Sequence, residues 1–111
     1  MSPAFDLPAQ LSVDVRLCER GVSVTVRGEV DLHTAPALRA GLHEVVSQGE
    51  PRIVVHLDAV SFLDSTGLGV LVAAHKAQRA SGGTMEVICG EPRLLRIIGL
   101  TGLDRVLDVR R

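Results

Sequence analysis

The sequence predicts a single α/β domain. Its sheet is mixed but mainly parallel, opens with an antiparallel hairpin, and is packed with three to four α-helices in the order β-β-α-β-α-β-α. Two adjoining stretches alternate apolar with polar residues, Leu11 to Leu17 and Val22 to Val26, which is the pattern of half-buried strands. Later apolar runs alternate with segments of helical period, as in strands joined through helices. The apolar share is 46% and almost wholly aliphatic, with Phe5 and Phe62 the only aromatics among 111 residues. That length suits one domain.

Residues 1–10 hold Pro3 and Pro8 and show no period, so a flexible leader is expected there, with the domain covering 11–111. Pro3, Asp6 and Pro8 also interrupt any signal-peptide pattern. In the first strand Leu11, Val13, Val15 and Leu17 face one way and Ser12, Asp14 and Arg16 the other, as at a sheet edge with one wet face. Glu19-Arg20-Gly21 supplies the turn to a second strand, Val22 to Arg27, which Gly28 to His33 ends in a loop. Thr34 is the expected N-cap of the first helix, with Pro36 tolerated in the first turn. Leu38, Leu42, Val45 and Val46 give that helix its apolar stripe, and Gly49 its C-terminal stop. Arg52 to Asp58 reads Ile-Val-Val-His-Leu between charged ends, and is expected to be an interior strand largely covered on both faces.

Ala59 to Asp64 is expected to be a short connection in which Phe62 anchors the core, before a helix from Ser65 to Ala80. Ser81-Gly82-Gly83 breaks the chain ahead of a buried strand, Met85 to Cys89. A third helix opens at Glu91-Pro92, carries Leu94, Leu95 and Ile98 inward, and is expected to end at Gly99. Thr101 to Val109 fits a short helix or a strand equally well.

A net charge of −1 gives no field that would draw the chain to nucleic acid or an anionic membrane. Arg93, Arg96, Arg105, Arg110 and Arg111 read as a solvated helix face and tail rather than a nucleic-acid patch, since stacking aromatics are lacking. No apolar run approaches the ~20 residues of a membrane span. Cys18 and Cys89 each lie in an apolar strand-like run, so both are expected as buried free thiols in a cytoplasmic protein. His33, His43, His56 and His75 share no ligand spacing, so no metal site is expected. No oxyanion pocket or oriented acid accompanies Ser65, so an enzyme is not the expected reading.

The most informative stretch is Asp64-Ser65-Thr66-Gly67-Leu68-Gly69, which follows a strand and opens a helix. Free N–H groups and the helix dipole favour an anion at such a start, and Asp64 or Ser65 can cap it. Two glycines cost about 1 kcal/mol each there relative to alanine. They serve either close packing on a neighbouring strand or a functional helix start. The segment lacks the Lys-Ser/Thr of a P-loop and the Gly-x-Ser-x-Gly elbow of hydrolases. The helix carries two apolar stripes, one through Leu68, Leu71, Val72 and His75, the other through Val70, Ala74 and Ala77. The second is either covered internally or open to a partner.

Gly28-Glu29-Val30-Asp31-Leu32-His33-Thr34-Ala35, followed by Val60-Ser61-Phe62-Leu63-Asp64-Ser65-Thr66-Gly67-Leu68-Gly69-Val70, resembles the anti-sigma factor antagonists with the STAS fold. Gly82-Gly83 and Ile98-Gly99-Leu100-Thr101-Gly102-Leu103 match the same pattern, so the resemblance spans nearly the whole chain after the leader. It implies a cycle: the antagonist binds an anti-sigma factor, commonly a serine kinase, and so frees a sigma factor. The kinase then phosphorylates the antagonist and ends the complex, and a serine phosphatase reverses this. Ser65 matches the phosphorylated serine. Asp31, His33, Thr34, Asp64, Thr66, Gly67, Leu68 and Val70 match the partner-binding surface. No cofactor and no direct contact with nucleic acid or membrane are expected; the oligomeric state is open, with a monomer as the default when free. The alternative within the same family is a STAS module of a stress-sensing, transporter or lipid-transport assembly, without sigma-factor control.

Overall fold

Each strand marked by alternation is present, and the chain lays the strands side by side in the order in which it makes them. The computed structural model describes residues 11–19 and 21–111, so the expected leader and Arg20 of the expected turn lie outside the described residues. The strands are β1 (Leu11–Cys18), β2 (Gly21–Val30), β3 (Arg52–Leu63), β4 (Thr84–Ile88) and β5 (Asp108–Arg110). The helices are α1 (Ala35–Ser47), α2 (Ser65–Ala80) and α3 (Pro92–Leu100), with a 3-10 turn at Leu103–Arg105. β1 is antiparallel to β2, while β2 to β5 run parallel, giving the sheet order β1-β2-β3-β4-β5. The segment left open between helix and strand is both, a 3-10 turn and then β5.

Every parallel connection advances the same way across the sheet, so crossovers of one hand place their helices on one face. Burial agrees. The registered rows Val22–Ile53–Met85 and Val24–Val55–Val87 are at most 1% exposed. Each such side chain contributes about 1.5–3 kcal/mol of burial free energy. The rows Ser23–Val54–Glu86 and Thr25–His56–Ile88 point the other way and are only half-buried. The expectation that β3 is covered on both faces is therefore corrected.

β3 also runs on through the stretch expected as a connection. Its pairing with β2 shifts register twice, between Thr25 and Arg27 and between Gly28 and Glu29. Each shift inserts an extra β3 residue, so the inward positions after Leu57 become Val60 and Leu63. Phe62 consequently stands 49% exposed instead of anchoring the core.

Other departures have equally local causes. Thr34 occupies the N-cap of α1 but makes no side-chain cap bond, because its hydroxyl is engaged elsewhere. Gly49, at φ +78°, follows the C-cap as expected. α3 passes through Gly99 to Leu100, and Gly102, at φ +76°, is the left-handed residue beyond it. Cys18 lies on the outer half of the edge strand and is exposed, whereas Cys89 is buried, which pushes its thiol pKa up. The second stripe of α2 is covered in part: Val70 and Ala74 are buried beside Leu42 and Val46 of α1, whereas Ala77 is exposed. Gln78, unremarked in the sequence, is 1% exposed, and its amide donates to the carbonyls of Glu50 (2.8 Å) and Thr84 (3.3 Å).

Candidate functional site at the ends of β2 and β3

The parallel pairing of Val30 with Leu63 brings two chain reversals to one edge of the sheet. Asp31 follows the first and Asp64 the second. The N–H of Asp64 donates to the carbonyl of Val30 at 3.2 Å, joining the start of α2 to the residue before Asp31. The two segments singled out in the sequence thus form one surface.

Asp31 builds the first half. Its Oδ1 accepts from the N–H groups of His33 (2.9 Å) and Thr34 (3.0 Å). The Thr34 hydroxyl accepts from the N–H of Asp31 (2.9 Å) and donates to the carbonyl of Glu29 (2.8 Å). Hydrogen bonds that favour the charged form, led by the one from the Thr34 backbone, hold the Asp31 carboxyl below its ordinary range. Thr34 is 9% exposed and serves the loop, while His33 points into solvent.

Asp64 builds the second half. Its Oδ1 accepts from the N–H of Gly67 at 3.0 Å, so the acid and not Ser65 caps α2. No acceptor for the N–H groups of Ser65 and Thr66 is present among the described residues. Ser65 is exposed and Thr66 half-buried. Gly67 is buried, and a Cβ there would overlap Val30 Cγ1 and come within 2.6 Å of Leu63 Cδ1. Its glycine therefore serves close packing of α2 on the strand ends. Gly69 is different: it is exposed, with nothing within 4 Å of an added Cβ. Leu68 and Val70 are 1% and 2% exposed, so their side chains belong to the core and fix where the helix start sits.

Two exposed apolar side chains frame this edge and were missed in the sequence. Leu32 is 68% exposed between Asp31 and His33, and Phe62, paired with Glu29, lies one residue before Leu63. An apolar residue inside an otherwise polar loop was the available signal for Leu32. For Phe62, the register shifts hid it. No three His, Cys, Asp or Glu side chains gather as a metal-binding group among the described residues. Chemically, the edge offers an exposed hydroxyl, two fixed carboxylates and an apolar rim. That suits docking and modification by another protein.

A small α/β domain with an exposed hydroxyl at a helix start and no metal-binding group among the described residues suits a regulatory binding module in class, and the comparisons place it more closely. The STAS domain family pattern matches residues 12–111, and the chain belongs to that family. An anti-sigma-B factor antagonist of Bacillus subtilis is 36% identical over 99 residues, covering 89% of this chain and 90% of the relative. Its counterpart in Listeria monocytogenes is 32% identical over 105 residues, covering 90% of each. The crystal structure of an anti-sigma factor antagonist from Mycobacterium paratuberculosis superposes with a TM-score of 0.85 at 35% identity, covering 93% of this chain and 87% of that one. Anti-sigma factor antagonism is the function these relatives support, and they are named as regulators rather than enzymes. No helix among the described residues is long and apolar enough to cross a membrane.

Proposed function

We propose that the unphosphorylated chain binds an anti-sigma factor that is also a serine kinase, so releasing a sigma factor. Phosphorylation of Ser65 by that kinase ends the complex, and a serine phosphatase restores it. The cycle runs in the cytoplasm without direct contact to nucleic acid or membrane. Asp31, His33, Asp64 and Thr66 form the docking edge, held in place by the buried Thr34, Gly67, Leu68 and Val70. Leu32, Phe62 and Gly69 extend it.

One observation carries the reading: Ser65 is exposed at the start of α2, and Asp64 already performs the capping. Its hydroxyl is therefore free for modification without loss of a structural bond. A phosphate adds roughly −1.5 to −2 charge at neutral pH. The isolated domain tolerates it, because two unengaged N–H groups and the helix dipole favour an anion there. Inside a closed interface, beside two carboxylates, the same charge is desolvated and repelled. A loss of about 1.4 kcal/mol already weakens binding tenfold.

The test is phosphate mapping after incubation with ATP and a serine-kinase anti-sigma factor from the same genome, joined to binding measurements. One phosphate on Ser65 is expected. Ser65→Ala should bind the partner and take up no phosphate, and the phosphorylated chain should bind at least tenfold more weakly. Equal affinity of both forms would sink the proposal.

A further inference from the structure

We propose that β1 pairs with β1 of a second copy of this chain, antiparallel and centred on Val15. β1 ends the sheet, and among the described residues no strand pairs with its outer edge. At eight residues it is a long edge, and long open edges are templates for further pairing unless bulges, prolines or charged side chains blunt them. The two charges here, Asp14 and Arg16, are of opposite sign and can pair across a two-fold axis. The Val13 end is covered, since Val13 packs against Gly41 of α1. Beyond it the cover stops. Val15 is 44% and Leu17 78% exposed, although both lie on the face whose β2 partners, Val24 and Val22, are buried.

The opposite face selects the partner. A two-fold axis through Val15 sets Val15 against itself, Val13 against the second copy's Leu17, and Asp14 against the second copy's Arg16. Two opposite-charge pairs and a continuous apolar row result. Sliding the register by two residues sets Asp14 against Asp14 or Arg16 against Arg16, which is unfavourable. The Val15-centred register is thus self-complementary, as a two-fold interface must be. Asp14 and Arg16 now pair along their own strand at 3.2 Å with side chains 50% and 80% exposed, so they are free to exchange partners.

The backbone agrees. Cys18 pairs with Gly21 at the head of the β1–β2 ladder, and the closing pair of strands joined through two residues is hydrogen-bonded. Counting back, Arg16, Asp14 and Ser12 turn their N–H and C=O groups to β2. Leu17, Val15 and Val13 turn theirs to the open edge, where the proposed register brings them together. Because the copies run antiparallel, their Ser65 ends point in opposite directions and both stay accessible.

Sedimentation of the full chain over a concentration series, in reducing buffer, tests this. The mass should rise from 11.8 kDa towards twice that value. Asp14→Arg and Arg16→Asp should each weaken association about tenfold. An equimolar mixture of the two variants should associate again, because it restores opposite charges across the axis. Val15→Lys, at an exposed position, should also be monomeric and serves if a charge variant fails to fold. A wild-type chain monomeric throughout overturns the proposal. So does a dimer unaffected by these substitutions, or one that forms only after removal of residues 1–10.

Discussion

Gly67 and Gly69 allow the same substitution to be made twice, two residues apart, with opposite expected results. Neither has a left-handed φ, so alanine is sterically acceptable to the backbone at both. In a helix it should gain up to about 1 kcal/mol over glycine. At Gly69 nothing within 4 Å opposes the added methyl, and the gain is kept. At Gly67 the methyl meets Val30, which is stiff, β-branched and 0% exposed, and Leu63, 1% exposed. Neither can withdraw into a packed core, and overpacking of this kind costs about 1–3 kcal/mol. The net effect expected for Gly67→Ala is a loss of up to about 2 kcal/mol. At ~4–8 °C per kcal/mol for a domain near this size, its Tm should fall in proportion, while that of Gly69→Ala rises. Thermal and urea unfolding read both, with an unchanged urea slope confirming that stability alone has moved. Shifts of the same sign would refute the assignment of one glycine to packing and the other to the surface. Gly69→Ala should also weaken binding to the anti-sigma partner, since a bare backbone patch on an exposed helix start serves only something outside the chain.

Three further outcomes follow from the geometry. The depressed pKa of Asp31 means that its loop bonds stabilise the fold above the unfolded-state pKa and are lost as pH falls through the lower, folded-state value. Asp31→Ala should therefore be less stable than the parent at neutral pH and approach it in acid, as followed by urea midpoints across a pH series. Leu32→Ala and Phe62→Ala should change stability by less than about 0.5 kcal/mol, as exposed side chains do. Each should nonetheless weaken partner binding, and titration calorimetry showing unchanged affinity would remove them from the docking edge. Gln78→Met keeps volume but leaves the carbonyls of Glu50 and Thr84 without their donor. A loss of about 1–3 kcal/mol is expected on urea unfolding.

Strand and helix order were legible because two periods, alternation and the helical turn, do not mimic one another over this length. The site was legible in part because its residues are contiguous: Asp64 to Gly69 announces a helix start whatever the tertiary fold. Other features depended on pairing. The register shifts in β3 put Phe62 outside, and no single-strand pattern carries the partner's register. The role of Thr34 turned on a carbonyl five residues back, at Glu29. Cys18 looked buried because its strand is apolar on one face, yet alternation places it on the other, with Ser12, Asp14 and Arg16. The two glycines of α2 looked alike in sequence, and only the approach of Val30 tells them apart.

A switch at a helix start faces a conflict when one residue both caps the helix and accepts the modification. Uncapping a helix costs about 1 kcal/mol, so modification of a capping serine would loosen the fold together with the interface. Here the duties are divided. Acidic side chains hold the reversals, Asp31 before α1, Asp64 at α2 and Glu91 at α3, and Ser65 is left without a structural bond. In the proposed cycle the buried Leu68 and Val70 would anchor the helix start, so that added charge acts on the docking surface and not on the helix position. It follows that moving the cap onto a hydroxyl, by Asp64→Ser, should leave the unmodified fold nearly as stable, because serine caps about as well as aspartate. It would also remove one of the two carboxylates beside the phosphate. The gap in partner affinity between the modified and unmodified forms should then narrow while thermal stability holds, and a gap of unchanged size would show that Asp64 adds nothing to the repulsion.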